Sequence, residues 1–217
     1  MEDAHYTPAL GRSGFTGAYD LTIRLLTREQ KWRTALLRQV APQDGETILD
    51  VGCGTGTFAI MLKRAAPGAR VIGLDPDPQI LAIAADKARK AGVSMELHQG
   101  FASDSSRFVA LDKAVSSLVF HQVPLAGKSA GITAMFASVR AGGEVHIADY
   151  ARQAGIMRPL FRLTIQRLDG AADTQPNADG EIERLLAEQT GSAVQARAVV
   201  PTITGTISLF MAAKPGD

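Results

Sequence analysis

The chain has 217 residues, 46% hydrophobic and 21% charged, which excludes a disordered or repetitive protein and is typical of a globular domain. Its 23 basic and 22 acidic side chains leave a net charge of +1, so nothing predicts nucleic-acid binding through phosphate neutralisation. The single cysteine excludes an intramolecular disulfide, and no cluster of His, Cys, Asp or Glu has metal-ligand spacing. We expect one soluble, cytoplasmic domain over residues 1–217, with no secretion signal and no membrane-spanning run.

The first half of the chain alternates between helical and β-prone segments. Residues 1–45 are predicted to form a helical lid, since apolar residues recur at helical spacing from Tyr19 to Val40. Such alternation is typical of a doubly wound, mostly parallel α/β sheet with helices on both faces. Gly142-Gly143 is expected to end the last helix of this series. The predicted strands are Thr47–Val51, Arg70–Leu74, Val93–Gln99, Lys113–Val119 and Glu144–Ala148, and the predicted helices are Thr57–Ala66, Pro78–Ala91 and Ala126–Arg140.

The C-terminal part, residues 151–217, departs from this alternation. Residues 169–180 are predicted to be a polar loop, and Glu181–Gln189 a helix. The β-prone runs Ser192–Val200 and Thr202–Ala212 are separated by Pro201 alone, which leaves no room for a crossover helix. They are therefore expected to form a C-terminal antiparallel β-hairpin.

Between the fifth strand and this hairpin lies the apolar, helix-like segment Ile156–Leu168. We expect it to cover the substrate entrance; the alternatives are a surface that faces a membrane and a surface that forms a homodimer. The basic side chains around it would suit anionic lipid headgroups, and they are Arg152, Arg158, Arg162 and Arg167.

The most informative residues are DVGCGTG (50–56), which directly follow the first strand and open the first helix. Glycines at positions 52, 54 and 56 let the backbone turn sharply and approach a ligand closely. Asp75 ends the second strand, 19 residues after Gly56, and its carboxylate can accept two hydrogen bonds from a ribose diol. The pattern predicts a ribose-bearing ligand across the carboxyl edge of the first two strands.

Two ligands compete for this description. A dinucleotide requires Gly-x-Gly-x-x-Gly, but Thr57 stands where the third glycine would be. Asp50, two residues before the first glycine, is unfavourable beside a pyrophosphate and favourable beside an ammonium group. An NAD(P)-dependent oxidoreductase is therefore the less favoured alternative, and a cofactor-binding protein without catalysis is the third.

In these residues the sequence resembles the class I S-adenosylmethionine-dependent methyltransferases, from roughly Tyr19 to Lys214. ILDVGCGTG (48–56) is the most specific motif, and VIGLDPDPQIL (71–81), SSLVFHQVP (116–124) and RAGGEVHIADY (140–150) resemble the family's second, fourth and fifth strands. The resemblance extends to small-molecule enzymes of quinone biosynthesis and phospholipid N-methylation. It implies a Rossmann-like methyltransferase fold in which residues 46–150 bind the cofactor and residues 151–217 supply substrate-side helices and the hairpin.

The same resemblance implies S-adenosyl-L-methionine as the cofactor and S-adenosyl-L-homocysteine as the product. The implied reaction is in-line methyl transfer to an O, N or C nucleophile of a small molecule: a quinol, a phenol, an amine or a lipid headgroup. A small-molecule methyl acceptor is thus the expected partner, with a lipid surface or a second copy of the chain as further candidates.

By this resemblance, Asp50 and the Gly52–Gly56 loop hold the methionine moiety, Asp75 the ribose hydroxyls, and Pro76 or Ile80 the edge of the adenine. Tyr19 belongs to the lid. The cofactor-binding residues predicted in full are Tyr19, Asp50, Gly52, Cys53, Gly54, Gly56, Asp75, Pro76, Ile80, Gly100, Phe101, Ala102, Ser117 and Leu118.

One departure concerns the adenine. The family often has Gly-Asp-Ala after the third strand, and this chain has Gly100-Phe101-Ala102. Phe101 cannot accept a hydrogen bond from the adenine amino group. Either Asp104 or Ser103 replaces the missing aspartate, or an apolar slot and backbone groups hold the adenine.

Methyl transfer requires an oriented, water-free pocket more than a set of catalytic side chains, because the sulfonium already activates the methyl group. His121, after the fourth strand, and Tyr150, just past the fifth, are candidates for contacting the acceptor; His121 is also a candidate for taking its proton. Asp149 at the same edge is a candidate for attracting a cationic substrate.

Overall fold

Parallel β-strands joined by helices form the centre of the computed structural model, which describes residues 28–216. Two short 3₁₀ turns, Ala102–Arg107 and Phe120–Gln122, follow the third and fourth strands. In chain order the elements are α1 (Glu29–Val40), β1 (Thr47–Val51), α2 (Thr57–Ala65), β2 (Arg70–Asp75), α3 (Pro78–Ala91), β3 (Glu96–Gln99), β4 (Leu111–Ser117), α4 (Leu125–Ser138), β5 (Val139–Tyr150), α5 (Met157–Leu163), α6 (Ile165–Asp169), α7 (Ala171–Asp179), α8 (Glu181–Thr190), β6 (Ala198–Thr202) and β7 (Gly205–Ala213).

The strands form one sheet in the order β3-β2-β1-β4-β5-β7-β6. β1 to β5 are parallel, and β7 runs antiparallel to both β5 and β6. The predicted doubly wound sheet with a C-terminal antiparallel hairpin is thus confirmed. The strand order reverses between β1 and β4, and in sheets of this kind ligands bind at the carboxyl edge of that crevice.

Successive side chains of the parallel strands pack on opposite faces of the sheet. Ile48 and Val71 lie in one apolar cluster, with Trp32 of α1 and Phe58 of α2. Leu49 and Ile72 lie in the other, with α4 and α8. This two-sided burial explains why the strands read as near-continuous apolar runs, and it fixes the positions of their carboxyl ends.

The prediction for the fifth strand was wrong at its beginning. α4 ends at Ser138, and β5 already begins at Val139, so Gly142-Gly143 lies inside the strand instead of ending the helix. Val139 pairs with Leu111 and Glu144 pairs with Lys113, so four residues bulge out between them. A bulge of this kind interrupts the alternation by which a strand is recognised in a sequence. The third strand is also shorter than predicted, since it begins only at Glu96.

The predicted polar loop at 169–180 was also wrong, because most of it forms helix α7. Buried polar contacts stabilise this helix: the Thr174 hydroxyl donates to the carbonyl of Gly170, and the Asn177 amide donates to the carbonyl of Tyr150 at 2.7 Å. The following helix, α8, agrees with prediction. The contact of Thr174 is local and that of Asn177 is tertiary, and residue composition reveals neither of them.

The hairpin turns at residues 203–204 instead of at Pro201, which pairs with Thr206 inside β6. A proline is tolerated there because β6 is the outer strand of the sheet and needs no donor on its free side. The segment Ile156–Leu168 is helical as predicted, but it is divided at Thr164 into α5 and α6.

The N-terminal lid, including Tyr19, lies outside the described residues. Within residues 28–216, α1 packs its apolar side chains Trp32, Leu36 and Val40 into the core. No helix of this part of the chain is long and apolar enough to cross a bilayer.

Candidate functional site

The glycine loop lies where the prediction put it, between β1 and α2. Gly52, Gly54 and Gly56 have φ angles of 68°, 54° and 73°, a left-handed conformation that favours glycine at all three positions. The backbone N–H groups of Gly52 and Cys53 donate to the carbonyl of Leu74 at 2.8 and 3.0 Å. The loop is thereby fixed against the end of β2.

Asp75, the last residue of β2, is connected directly to this loop. Its carboxylate accepts the N–H of Gly54 at 2.9 Å and the N–H of Asp77 at 3.0 Å. Asp77, not Asp75, caps α3, by accepting the N–H groups of Gln79 and Ile80. Asp75 is therefore free of the capping role, and each of its oxygens keeps a second acceptor position for a ligand hydroxyl.

Asp50 has an unusual environment. It is 1% exposed, and neither carboxylate oxygen has a hydrogen-bond partner of normal geometry within residues 28–216. Burial raises the pKa of Asp50 to about 7, with the Arg33 guanidinium opposing this rise and Asp75 adding to it. A buried carboxylate without partners is unfavourable unless a cation or a donor reaches it. A positively charged group bound at the glycine loop would relieve this cost.

The segment after β4 packs against the glycine loop. A Cβ atom built on Gly52 would lie 2.3 Å from Cγ2 of Val119, so only glycine permits this contact. Leu118 has a φ of 56°, a left-handed conformation that is strained for a leucine. Its N–H donates to the carbonyl of Ala148 at 2.9 Å, and Ser117 ends the strand before it.

Asp149 of β5 stabilises this strained segment. Its carboxylate accepts the backbone N–H groups of Val119 at 3.0 Å and Phe120 at 2.7 Å, and that of Tyr150 at 2.7 Å. It also lies 2.7 Å from Nδ1 of His121 and is fully buried. The expectation that Asp149 attracts a cationic substrate was therefore wrong, because its oxygens are already engaged by internal donors.

His121 is held between two carboxylates. Its Nδ1 contacts Asp149, and its Nε2 lies 3.5 Å from Oδ2 of Asp169 in α6. Burial alone lowers the pKa of His121, but the two aspartates outweigh that effect and raise the pKa to about 9. At neutral pH the ring is therefore an imidazolium that donates from both nitrogens.

Tyr150 lies in the core beside this pair. Its ring is 5.2 Å from that of His121 and 5.3 Å from that of Phe161. The hydroxyl is 2.6 Å from that of Thr204, and burial raises the pKa of Tyr150 to about 12. The phenol thus stays protonated at neutral pH and is engaged by the hairpin.

Sequence reasoning missed a buried cation in this region. Lys128 of α4 is fully buried, its ammonium donates to the carbonyl of Phe120, and burial lowers its pKa to about 8. The residues at 128, 132 and 135 follow helical spacing with the buried Ile132 and Met135, which is the signal that could have revealed it. Asp169 as the second partner of His121 was missed as well, and no local signal indicates it.

The residues expected to hold the adenine lie at the neighbouring strand ends. Ile80 is buried in α3, and Phe101 is 47% exposed at the end of β3. The Asp104 carboxylate accepts the N–H of Phe101 at 2.8 Å, so this acid is engaged in capping the 3₁₀ turn. Cys53 is buried, and burial raises the pKa of its thiol well above the usual range, which leaves it unreactive.

Comparison with known proteins agrees with this geometry. Residues 48–143 match a family model described as a methyltransferase domain. The magnesium protoporphyrin IX methyltransferase of Synechocystis, solved with bound S-adenosylhomocysteine, superposes with a TM-score of 0.67 at 17% identity, over 94% of this chain and 90% of that one. The N-methyltransferase NodS from Bradyrhizobium japonicum superposes with a TM-score of 0.63 at 17% identity, over 86% of this chain and 96% of that one. The fold and the glycine loop therefore define a Rossmann-like methyltransferase domain.

Curated relatives are methyltransferases as well. The demethylmenaquinone methyltransferase of Deinococcus radiodurans is 30% identical over 155 residues, which cover 69% of this chain and 63% of the relative. That of Thermus thermophilus is 42% identical over 79 residues, 36% of each chain. The chain thus spans less than two thirds of the length of these relatives. Residues 48–143 thus match a methyltransferase domain, and the chain resembles the class I S-adenosylmethionine-dependent methyltransferases.

Proposed function

We propose that this protein binds S-adenosyl-L-methionine at the glycine loop and transfers its methyl group to a small-molecule acceptor. The observation that carries the proposal is the buried carboxylate of Asp50 behind a loop of left-handed glycines, since neither of its oxygens has a hydrogen-bond partner of normal geometry among residues 28–216. The cofactor bears an ammonium and a sulfonium, and it lacks phosphate, so it suits this carboxylate better than a dinucleotide does. The matched family supports the same assignment.

In this proposal the chain's own residues bind and orient the cofactor. Asp50 neutralises the ammonium group, Asp75 accepts hydrogen bonds from the ribose hydroxyls, and the segment from Ser117 to Val119 borders the glycine loop from the side of β4. When bound, S-adenosyl-L-methionine supplies an electrophilic methyl group. Alignment of the acceptor with that group can contribute about 7–11 kcal/mol to catalysis.

The charge of His121 restricts what the acceptor site can do. A doubly protonated ring has no lone pair, so His121 cannot take a proton from the acceptor at neutral pH. Its two N–H groups already face Asp149 and Asp169, and two carboxylates outnumber one imidazolium, so His121 does not neutralise an acceptor anion either. We favour a quinol or phenol as the acceptor, because the similarity to demethylmenaquinone methyltransferases supports that class.

The first experiment compares ligands by thermal shift and titration calorimetry. S-adenosyl-L-homocysteine at 100 times its dissociation constant should stabilise the protein by about 2.7 kcal/mol, and NADH should not. Asp75→Ala should weaken binding by about 1.5–3 kcal/mol, because hydrogen bonds to a charged acceptor are lost. Asp77→Ala, which removes only the neighbouring helix cap, is the matched control and should keep the affinity.

The second experiment supplies S-adenosyl-L-methionine with quinols, phenols, amines and phospholipids and measures release of S-adenosyl-L-homocysteine. Product with a quinol or phenol supports the acceptor class, and product with an amine or phospholipid alone refutes it. Binding without product from any acceptor would identify a binding protein without catalysis. Stabilisation by NADH instead would refute the assignment of the cofactor.

A further inference from the structure

Helices α5 and α6 bury one set of apolar side chains and expose another. Phe161 and Ile165 are 0% and 7% exposed and pack in the core beside the sheet. Leu163, by contrast, is 60% exposed, and Ile156 is 81% exposed. Ile156 and Leu163 are seven residues apart, about two helical turns, so they project from the same side of α5. The exposed residues are therefore a second apolar face and not an extension of the core.

Two more exposed apolar residues adjoin this face. Leu168 of α6 is 58% exposed, and Ile203, at the turn of the hairpin, is 49% exposed. The hydroxyl of Thr164 donates to the carbonyl of Thr204 at 3.1 Å, which brings the hairpin turn against the junction of α5 and α6. We call the set Ile156, Leu163, Leu168 and Ile203 the apolar surface.

The charged residues of the segment that carries most of the apolar surface are all basic. Residues 151–168 contain four arginines and no acidic residue. Arg158 pairs with Asp179, whereas within residues 28–216 no ion pair engages Arg162 or Arg167. The next acid in the chain, Asp169, is directed inwards at Nε2 of His121. The exposed apolar side chains are thus bordered by cations whose charge is not neutralised by the described part of the protein.

We propose that this surface docks on a bilayer of anionic phospholipids. Apolar side chains enter the boundary between headgroups and acyl chains, and arginines beside them attract the phosphates. A second copy of the chain is the less suitable occupant, since a symmetric pairing would bring together Arg162 and Arg167 of both copies, which no ion pair within residues 28–216 neutralises. The inference rests on exposure and charge alone and does not depend on methyl transfer.

The test is sedimentation of the full-length protein with vesicles, without any cofactor. One set of vesicles contains phosphatidylcholine only, and the other an equal mixture of phosphatidylcholine and phosphatidylglycerol. The partition coefficient should be higher on the anionic vesicles and should fall with added salt. Arg162→Gln should lower it about five-fold, the effect expected of one cation near an anionic surface.

Leu163→Asp should lower the partition coefficient about ten-fold or more, because an apolar side chain is replaced by a charge. Val109→Asp is the matched control. Val109 is 74% exposed but precedes β4, at the amino ends of the parallel strands, and the variant should bind like the parent. Unchanged melting temperatures would show that both variants fold. Absence of binding by the parent protein, or an equal loss in Val109→Asp, overturns the proposal. The proposal is also overturned if the parent protein forms a concentration-dependent dimer, does not bind vesicles, and loses the dimer in Leu163→Asp.

Discussion

Replacing Asp149 by asparagine should reveal how strongly His121 and the segment after β4 depend on one carboxylate. Asp149 accepts three backbone N–H groups and pairs with His121, all without access to solvent. Asparagine keeps the shape but loses the charge and one acceptor oxygen. Removing one partner of a buried ion pair typically costs about 3–5 kcal/mol, since the other charge is left uncompensated.

The pKa of His121 gives the pH dependence of this loss. A rise from 6.5 to about 9 on folding corresponds to about 3 kcal/mol of stabilisation. Because the pKa is raised, this stabilisation is complete below pH 6.5 and is lost as the pH rises through 9. The difference in unfolding free energy between the parent and Asp149→Asn should therefore shrink by about 2 kcal/mol between pH 6.5 and pH 8.

Urea unfolding at several pH values measures this difference. Asp50, with a pKa of about 7, titrates in both proteins and cancels. The Asp149 charge raises the pKa of Lys128, so its loss lowers that pKa further and makes the difference shrink in the same direction. Asp112→Asn is the matched control, because Asp112 accepts the N–H of Thr47 at the amino ends of β1 and β4, away from His121. Its difference from the parent should not vary with pH. A difference for Asp149→Asn that is equally constant would refute the charged state of His121.

Three further predictions concern the glycine loop and the core. Gly52→Ala should destabilise the protein by about 1–3 kcal/mol and weaken cofactor binding, because alanine strains the left-handed backbone and its Cβ clashes with the segment after β4. Gly54→Ala should cost only the backbone strain, because open space surrounds Gly54. Calorimetry should show cofactor affinity falling below pH 7, by at most about ten-fold per pH unit, because Asp50 takes up one proton there; affinity independent of pH would exclude Asp50 as the receptor of the cation. Phe161→Ala should cost about 3–5 kcal/mol in urea unfolding and Leu163→Ala no more than about 0.5, so equal costs would contradict the assignment of the two faces of α5.

The parallel part of the fold was predictable because its signals are local. β1 and β2 are apolar runs, α2 and α3 have their own helical period and stop signals, and the glycine loop indicates the connection between β1 and α2. α3 was predicted with the bounds Pro78–Ala91 that it has, since a proline begins it and Gly92 ends it. Asp50 and Asp75 could be placed at one edge for the same reason.

The errors occur where distant contacts override the local pattern. Helix α7 contains Pro176 and depends on Asn177 reaching the backbone of Tyr150, 27 residues away. The partners of His121 are 28 and 48 residues further along the chain, and no spacing rule connects them. Asp149 accepts backbone N–H groups of the segment after β4, so its structural role could be recognised only once β4 and β5 were placed side by side.

The contact between Gly52 and Val119 joins positions 67 residues apart in the chain. It forms only when β4 has inserted beside β1, a pairing that requires closure of a long loop and is therefore slow relative to local helix formation. The arrangement of the glycine loop against the segment after β4 should thus be absent from early compact species during refolding. Acquisition of ligand affinity would then mark the late docking of the two halves of the sheet.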